Sequence, residues 1–253
     1  MITGLYAAAS GMVGLEKRHD VIANNLANAA TPGYKRMDGV FQGYYQHYLG
    51  RPVHPHLHNL RAGPGGGARL DETYTDRSAG VISSTGDPLN VALMGPGYIA
   101  VDTPQGERYT RSGQMAINAA GQLATADGHV VLSADGAPIP VEGMEFVISG
   151  DGEVFVEGAP VGQLRIVGFE EPGLLERQGH TLYAAPEEAL EGMMAPAEGV
   201  QVMHKALELS NVQAPTEMAN MIQGLRAYEA NSRVIVTMDE TTGRLIDQVG
   251  MPS

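Results

Sequence analysis

The chain of 253 residues contains no cysteine, which excludes disulfide frameworks, thiolate zinc sites and cysteine nucleophiles together. Basic residues are scarce too: 16 Lys and Arg stand against 29 Asp and Glu, a formal net charge of −13. That balance repels a phosphate backbone, so nucleic acid is not an expected partner. Long apolar runs are also missing. The stretch from Val91 to Val101 is broken by Gly95, Pro96 and Gly97 and falls short of the roughly 20 residues a spanning helix needs, so no membrane span is expected. The first cations, Lys17 and Arg18, follow the apolar N-terminal stretch rather than precede it, and no cleaved signal peptide is expected.

Glycine and proline are abundant, with 33 and 15 residues, which favours turn-rich β structure. Hydrophobic residues make up 43% of the chain, enough to fill a core. At the N-terminus Leu5, Ala8, Met12, Leu15, Ile22 and Leu26 recur at spacings of three, four and seven, the stripe of an amphipathic helix, with His19 in its one polar slot. The helix is expected to end near Asn28 to Ala30. There Thr31-Pro32-Gly33 supplies a turn, with Pro presetting φ and Gly accepting a positive φ. The far end repeats the pattern: Met218, Met221, Leu225, Tyr228, Ile235, Met238, Leu245, Ile246 and Val249 follow one stripe from about Pro215 to Val249.

Between these ends the text changes. Residues Gln46 to Ser78 have little periodicity and read as a loop or linker. From about Ala79 to Tyr183, short runs alternate with turn signals. Val91–Leu93, Tyr98–Val101, Arg108–Arg111, Met115–Ile117, Gln122–Ala124, Val130–Leu132, Phe146–Ile148, Val154–Val156 and Leu164–Val167 are expected strands. Pro104–Gly106, Ala120–Gly121, Asp127–Gly128, Asp135–Gly136, Asp151–Gly152 and Glu157–Gly158 punctuate them. The expected fold is α+β: terminal amphipathic helices pairing as a coiled coil around an inserted antiparallel, hairpin-rich β-domain. Its expected divisions are a helix over 1–33, an extended segment and flexible linker over 34–78, a β-rich domain over 79–204 and a helix over 205–253. Two helices alone cannot bury both sides of their stripes, which points to packing against other copies. The alternative is one globular domain whose terminal helices pack on its own sheet.

Three blocks then resemble one family. LYAAASGM at Leu5 to Met12, followed by VIANNLANAATPGYKR at Val21 to Arg36, resembles the N-terminal signature of the bacterial flagellar axial proteins, the rod, hook and hook-associated subunits. LELSNVQAPTEMANMIQGLRAYEANSRVI at Leu207 to Ile235 resembles their C-terminal signature, and the segment from Thr85 to Leu132 is similar to the β-domain of rod proteins. The resemblance implies a structural subunit of the flagellar basal-body rod, with no catalysis and no cofactor. The terse segment Gly162 to Tyr183 and the departure SNVQAPTEM point to the proximal-rod type, which looks like the distal type. Implied partners are other rod subunits and the chain itself, the flagellar type III export apparatus and ring proteins around the rod. The implied location is the basal body, in the periplasm after export.

The expected assembly interface comprises Leu5, Ala8, Met12, Leu15, Ile22, Asn24, Asn25, Leu26, Asn28, Asn211, Met218, Met221, Ile222, Leu225, Tyr228 and Ile235. Three asparagines within five positions are unfavourable in a helix interior by up to ~0.7 kcal/mol each, so they need a reason. Bonding to backbone or to neighbouring subunits is one; capping of a helix end is the other. The run Ala7 to Gly11 admits close helix packing, and methionines on the C-terminal stripe fill uneven surfaces. His54, His56 and His58, with His47, raise a metal reading that no carboxylate cluster accompanies. GPGGGA at Gly63 to Ala68 fits a dinucleotide pattern formally, but no strand leads into it. Asp151 with Glu153, or Glu170 with Glu171, raises an acid and base reading, but Gly150-Asp151-Gly152 reads better as a hairpin turn. A periplasmic binding module and a carbohydrate-active enzyme are the remaining alternatives, and neither has a polar constellation to support it.

Overall fold

The computed structural model describes residues 2–43, 68–143, 146–194 and 199–249. The described parts of 1–27, 37–76 and 213–253 form one unit, and the described parts of 28–36 and 77–212 form a second.

The first unit is built on two helices, Ile2–Ala27 and Ala214–Val249. They pack against each other through their small residues. Gly4 lies beside Met238, Gly11 faces Asn231 and Gly224 faces His19, so the helices run antiparallel. A Cβ on Gly4 would come within 2.7 Å of the Met238 terminal methyl, which shows how closely the backbones approach. Pro215 occupies the first turn of the second helix, where its missing N–H leaves no helical bond unmade. A ribbon of Met37–Gly43 and Ala68–Thr75 pairs antiparallel, with a bulge between Val40 and Phe41, and packs on the first helix. The second of these strands falls within the segment expected as linker. Its residues lack a continuous apolar face, and the ladder to Met37–Gly43 supplies what the sequence pattern does not. No helix among the described residues is long and apolar enough to cross a membrane.

The second unit is a set of antiparallel sheets. The largest runs, in spatial order, Glu176–Gln178, Leu182–Ala184, Gly106–Thr110, Tyr98–Thr103, Val130–Val131, Leu123–Thr125 and Met115–Ile117. Ile166–Phe169 joins it at Tyr98–Thr103 and also pairs with Met193–Met194. Phe146–Ile148, Glu153–Val156 and Ala159–Gln163 form a three-stranded meander. Between its last two strands Glu157 and Gly158 both have positive φ, 51° and 81°, the geometry that a two-residue hairpin of matching twist requires.

Tyr98–Thr103 is buried on both faces, and its alternation divides the interior in two. Ile99 and Val101 belong to one cluster with Val91, Leu123, Val131 and Val154. Tyr98 and Ala100 belong to another with Tyr109, Val167, Phe169 and Tyr183. The second cluster is aromatic: Tyr98 meets Phe169 and Tyr183 edge-on at 5.9 and 5.6 Å between ring centres, and Tyr109 meets Phe169 at 5.0 Å.

The unit is completed by two short ribbons, Val91–Met94 with Gln201–His204 and Ile82–Ser84 with Ala206–Glu208. The chain passes from one ribbon to the other at Lys205, a non-glycine residue held at φ 60°. Its N–H donates to the Asn90 carbonyl at 2.8 Å, and its carbonyl accepts from the Thr85 N–H at 2.8 Å. Each of the nine strands expected from turn punctuation is present, with ends shifted by at most two residues.

Candidate functional site

The interface residues expected on the two helices fall into three groups. Ala8 and Ile22 are buried, while Met12, Leu15, Leu26, Met221 and Ile235 are half-buried. Leu5 is exposed, and on the second helix Met218, Ile222, Leu225 and Tyr228 are exposed by between 41 and 54%. Val234, Val236, Leu245 and Ile246 extend that apolar exposure toward the helix end. Large apolar surfaces of this kind mark interaction sites. Leu15, Glu16, His19 and Asp20 of the first helix and Gly224, Leu225 and Tyr228 of the second line an open cleft of about 230 Å³.

The asparagines behave differently from the apolar stripe. Asn24 is exposed, but Asn25 is 1% exposed and bonds both ways to one backbone unit. Its Nδ2 donates to the Met37 carbonyl at 2.7 Å and its Oδ1 accepts from the Met37 N–H at 2.8 Å. Both the donor and the acceptor of the Asn25 amide thus engage the Met37 backbone. Asn28 is buried and accepts from the Thr31 hydroxyl at 3.3 Å while its carbonyl receives the Thr31 N–H. It closes the turn that ends the helix. Asn211 is half-buried; its Oδ1 accepts from the Arg36 N–H at 2.7 Å and its Nδ2 donates to Ser78.

Asn211 belongs to a buried polar cluster that joins the two ends of the sequence within the second unit. The turn Thr31–Tyr34 places Gly33 at φ 71°, and the Gly33 N–H donates to the Glu208 carbonyl at 2.8 Å. Two residues on, Lys35 Nζ donates to Glu208 Oε1 at 2.5 Å and to the Ser78 carbonyl at 2.7 Å. Glu208 Oε1 also accepts from the Gly80 N–H at 2.8 Å, and Arg111 Nε stands 3.3 Å from Glu208 Oε2. Arg111 donates in turn to the Gly95 and Gly97 carbonyls at 2.8 and 2.6 Å. All three charged side chains are at most 7% exposed. Burial on this scale is tolerable only because the charges are paired and hydrogen-bonded. Tyr34, fully buried, lies under the Arg177 guanidinium at 4.2 Å, and Arg177 donates to the Lys35 carbonyl at 2.8 Å. Burial raises the Tyr98 phenol above its ordinary range, and the nearby Arg77 and Arg111 guanidiniums oppose that rise.

Lys35, Arg111 and Glu208 were absent from the expected site residues. All three lie within the blocks that carry the family resemblance, and a carboxylate flanked by Leu207 and Leu209 was the one local signal of a buried charge. Among the described residues, no group of His, Asp or Glu is arranged to hold a metal ion. The histidines 47, 54, 56 and 58 and the glycine run 63–67 lie outside the described residues.

An antiparallel pair of helices in one unit, and in the other a hairpin-rich set of sheets with a buried ionic cluster joining sequence-distant segments, define a mixed α and β protein. Three family models match in chain order: Flagella basal body rod protein over 5–35, Flagellar hook protein FlgE/F/G D1 domain over 92–156, and Flagellar basal body rod FlgEFG protein C-terminal over 203–248. Flagellar basal-body rod protein FlgG of Caulobacter vibrioides is 35% identical, over 93% of this chain and 95% of its own length. FlgG of Bacillus subtilis is 32% identical over 98% of this chain and 99% of its own, and FlgF of Rhizobium meliloti is 29% identical over 99% of each. The chain belongs to the flagellar basal-body rod protein family.

Proposed function

We propose that this chain is a structural subunit of the flagellar basal-body rod, assembling with copies of itself and with other rod subunits into the shaft that carries torque. The observation that carries this reading is the exposed apolar face formed by Met218, Ile222, Leu225 and Tyr228 on a 36-residue helix. Water disfavours such a face by about 25 cal/mol per Å² of apolar surface, and neighbouring subunits would cover it. In the assembled rod the two terminal helices pair as a coiled coil. The reading assigns the chain no reaction and no cofactor. It places the chain in the basal body, in the periplasm, after passage through the flagellar type III export apparatus, with ring proteins around the shaft.

The distal position in the rod is supported by the FlgG relatives at 32 and 35% identity. The proximal position, expected from the SNVQAPTEM segment, is supported by the FlgF relative at 29%. Electron cryomicroscopy of basal bodies tests both, with a tag inserted at the exposed Asp127–Gly128 turn, where nothing lies within 4 Å of a Cβ on Gly128. Label along the far part of the shaft supports the distal position, and label at the membrane end supports the proximal one. A basal body without label overturns the rod assignment.

A further inference from the structure

The segment 28–36 meets the strand Ala206–Glu208 and the residues after it at three successive points, and the first two refuse opposite errors of alignment. Gly33 is held at φ 71° with its Cα against another backbone; a Cβ there would lie 2.4 Å from the Ser112 nitrogen and 2.5 Å from the Arg111 carbonyl carbon. Sliding the segment so that Tyr34 takes this place is therefore closed by sterics. Sliding it the other way would put Pro32 there, which has no N–H for the Glu208 carbonyl, and would set the Tyr34 phenol rather than an ammonium against the buried Glu208 carboxylate. The third point is Asn211, whose Oδ1 accepts the Arg36 N–H.

We infer that Lys35 acts as a register residue: it selects the position at which 28–36 docks, more than it supplies the stability of the sheet unit. Removing its ammonium leaves Glu208 with Arg111 at 3.3 Å and with the Gly80 N–H at 2.8 Å, so the carboxylate keeps a counter-charge and a donor. The Ser78 carbonyl keeps the Asn211 amide at 3.3 Å. Removing Glu208 is different in kind, because it deprives two buried cations of their shared anion. Buried ionic groups that fix an alignment at little gain in stability are known from helical assemblies, and the geometry here has the same logic.

The test compares the full-length chain with Lys35→Met and Glu208→Gln, using urea unfolding for stability and amide hydrogen exchange for docking. The Gly33 and Arg36 amides report alignment, since each has one identified acceptor across the contact; the Ala100 amide, bonded to the Arg165 carbonyl, reports the sheet. For Lys35→Met the unfolding equilibrium constant should change less than tenfold, while protection of Gly33 and Arg36 falls at least tenfold relative to Ala100. Glu208→Gln should lower all three together. Unchanged protection at Gly33 and Arg36 in Lys35→Met would overturn the inference. So would a loss of stability equal to that of Glu208→Gln, or a failure of Lys35→Met to fold.

Discussion

Asn25 binds Met37 as one strand residue binds another, donating to its carbonyl and accepting from its N–H across twelve positions of sequence. The amide side chain thereby ties the end of a helix to the start of a ribbon. Asn25→Ala would leave two backbone groups without their partner in a site that is 1% exposed. Each stranded group costs about 1–3 kcal/mol. The variant is expected to lower the stability of the isolated chain, measured by urea unfolding, as well as its yield of assembled rods. Asn25→Asp keeps an acceptor but sets a second oxygen against the Met37 carbonyl in a buried site, and should cost at least as much as alanine.

Gly33 gives the sharpest expected loss. Alanine at φ 71° carries roughly 1–2 kcal/mol of left-handed strain, and its Cβ would in addition collide with the Ser112 and Arg111 backbone. Backbone cannot swing aside as a side-chain tip can. Gly33→Ala should destabilise the chain by at least about 2 kcal/mol in denaturant unfolding, whereas Gly128→Ala, equally left-handed but in open space, should show only the strain.

Lys205 predicts the opposite sign. It holds φ 60° where the chain crosses between two ribbons, a conformation that costs a side-chain-bearing residue about 1–2 kcal/mol. Glycine removes that strain but gives back about 0.5–1 kcal/mol in unfolded-chain freedom. Lys205→Gly is expected to raise stability by a few tenths to about 1 kcal/mol, with the Lys205 amide bond to Asn90 still protected in hydrogen exchange.

The aromatic cluster sets an alkaline limit. Burial pushes both Tyr109 and Tyr183 up to about 12, from an ordinary value of 10.0. A phenol whose pKa is raised by folding holds its proton more tightly in the native state. Its contribution is whole below pH 10 and is lost as the pH climbs from 10 toward 12. Both tyrosines should ionise later than an ordinary phenol in an absorbance titration, and stability should fall through that window. Tyr183→Phe should remove one late ionisation. Because the Tyr183 hydroxyl is buried with no hydrogen-bond partner among the described residues, that variant should also gain about 1 kcal/mol.

The legible parts of this chain were those with local causes. The strand Met115–Ile117 and the meander strand Phe146–Ile148 were bounded as expected, because apolar runs between Asp-Gly or Ala-Gly turns carry their own punctuation. The strands Glu176–Gln178 and Ala159–Gln163 carried no apolar run to mark them. One is wholly polar and the other contains a proline, and both exist because a neighbour offers a ladder. The two helix stripes were readable from period alone. The Lys35 to Glu208 pair spans 173 positions, and nothing periodic links a lysine after a turn to a glutamate in a three-residue strand. Asn25 shows the same limit: its cost in a helix was visible, and its partner was not.

The strand Tyr98–Thr103 is a wall shared by two rooms. Its odd and even side chains complete different clusters, yet they hang from one backbone, and that backbone is bonded to Gly106–Thr110, Val130–Val131 and Ile166–Phe169. Neither cluster can open without withdrawing the wall from the other. The sheet unit should therefore melt as a single cooperative block, with damage on the aromatic side, at Phe169 or Tyr183, felt as loosening around Leu123 and Val154 on the aliphatic side.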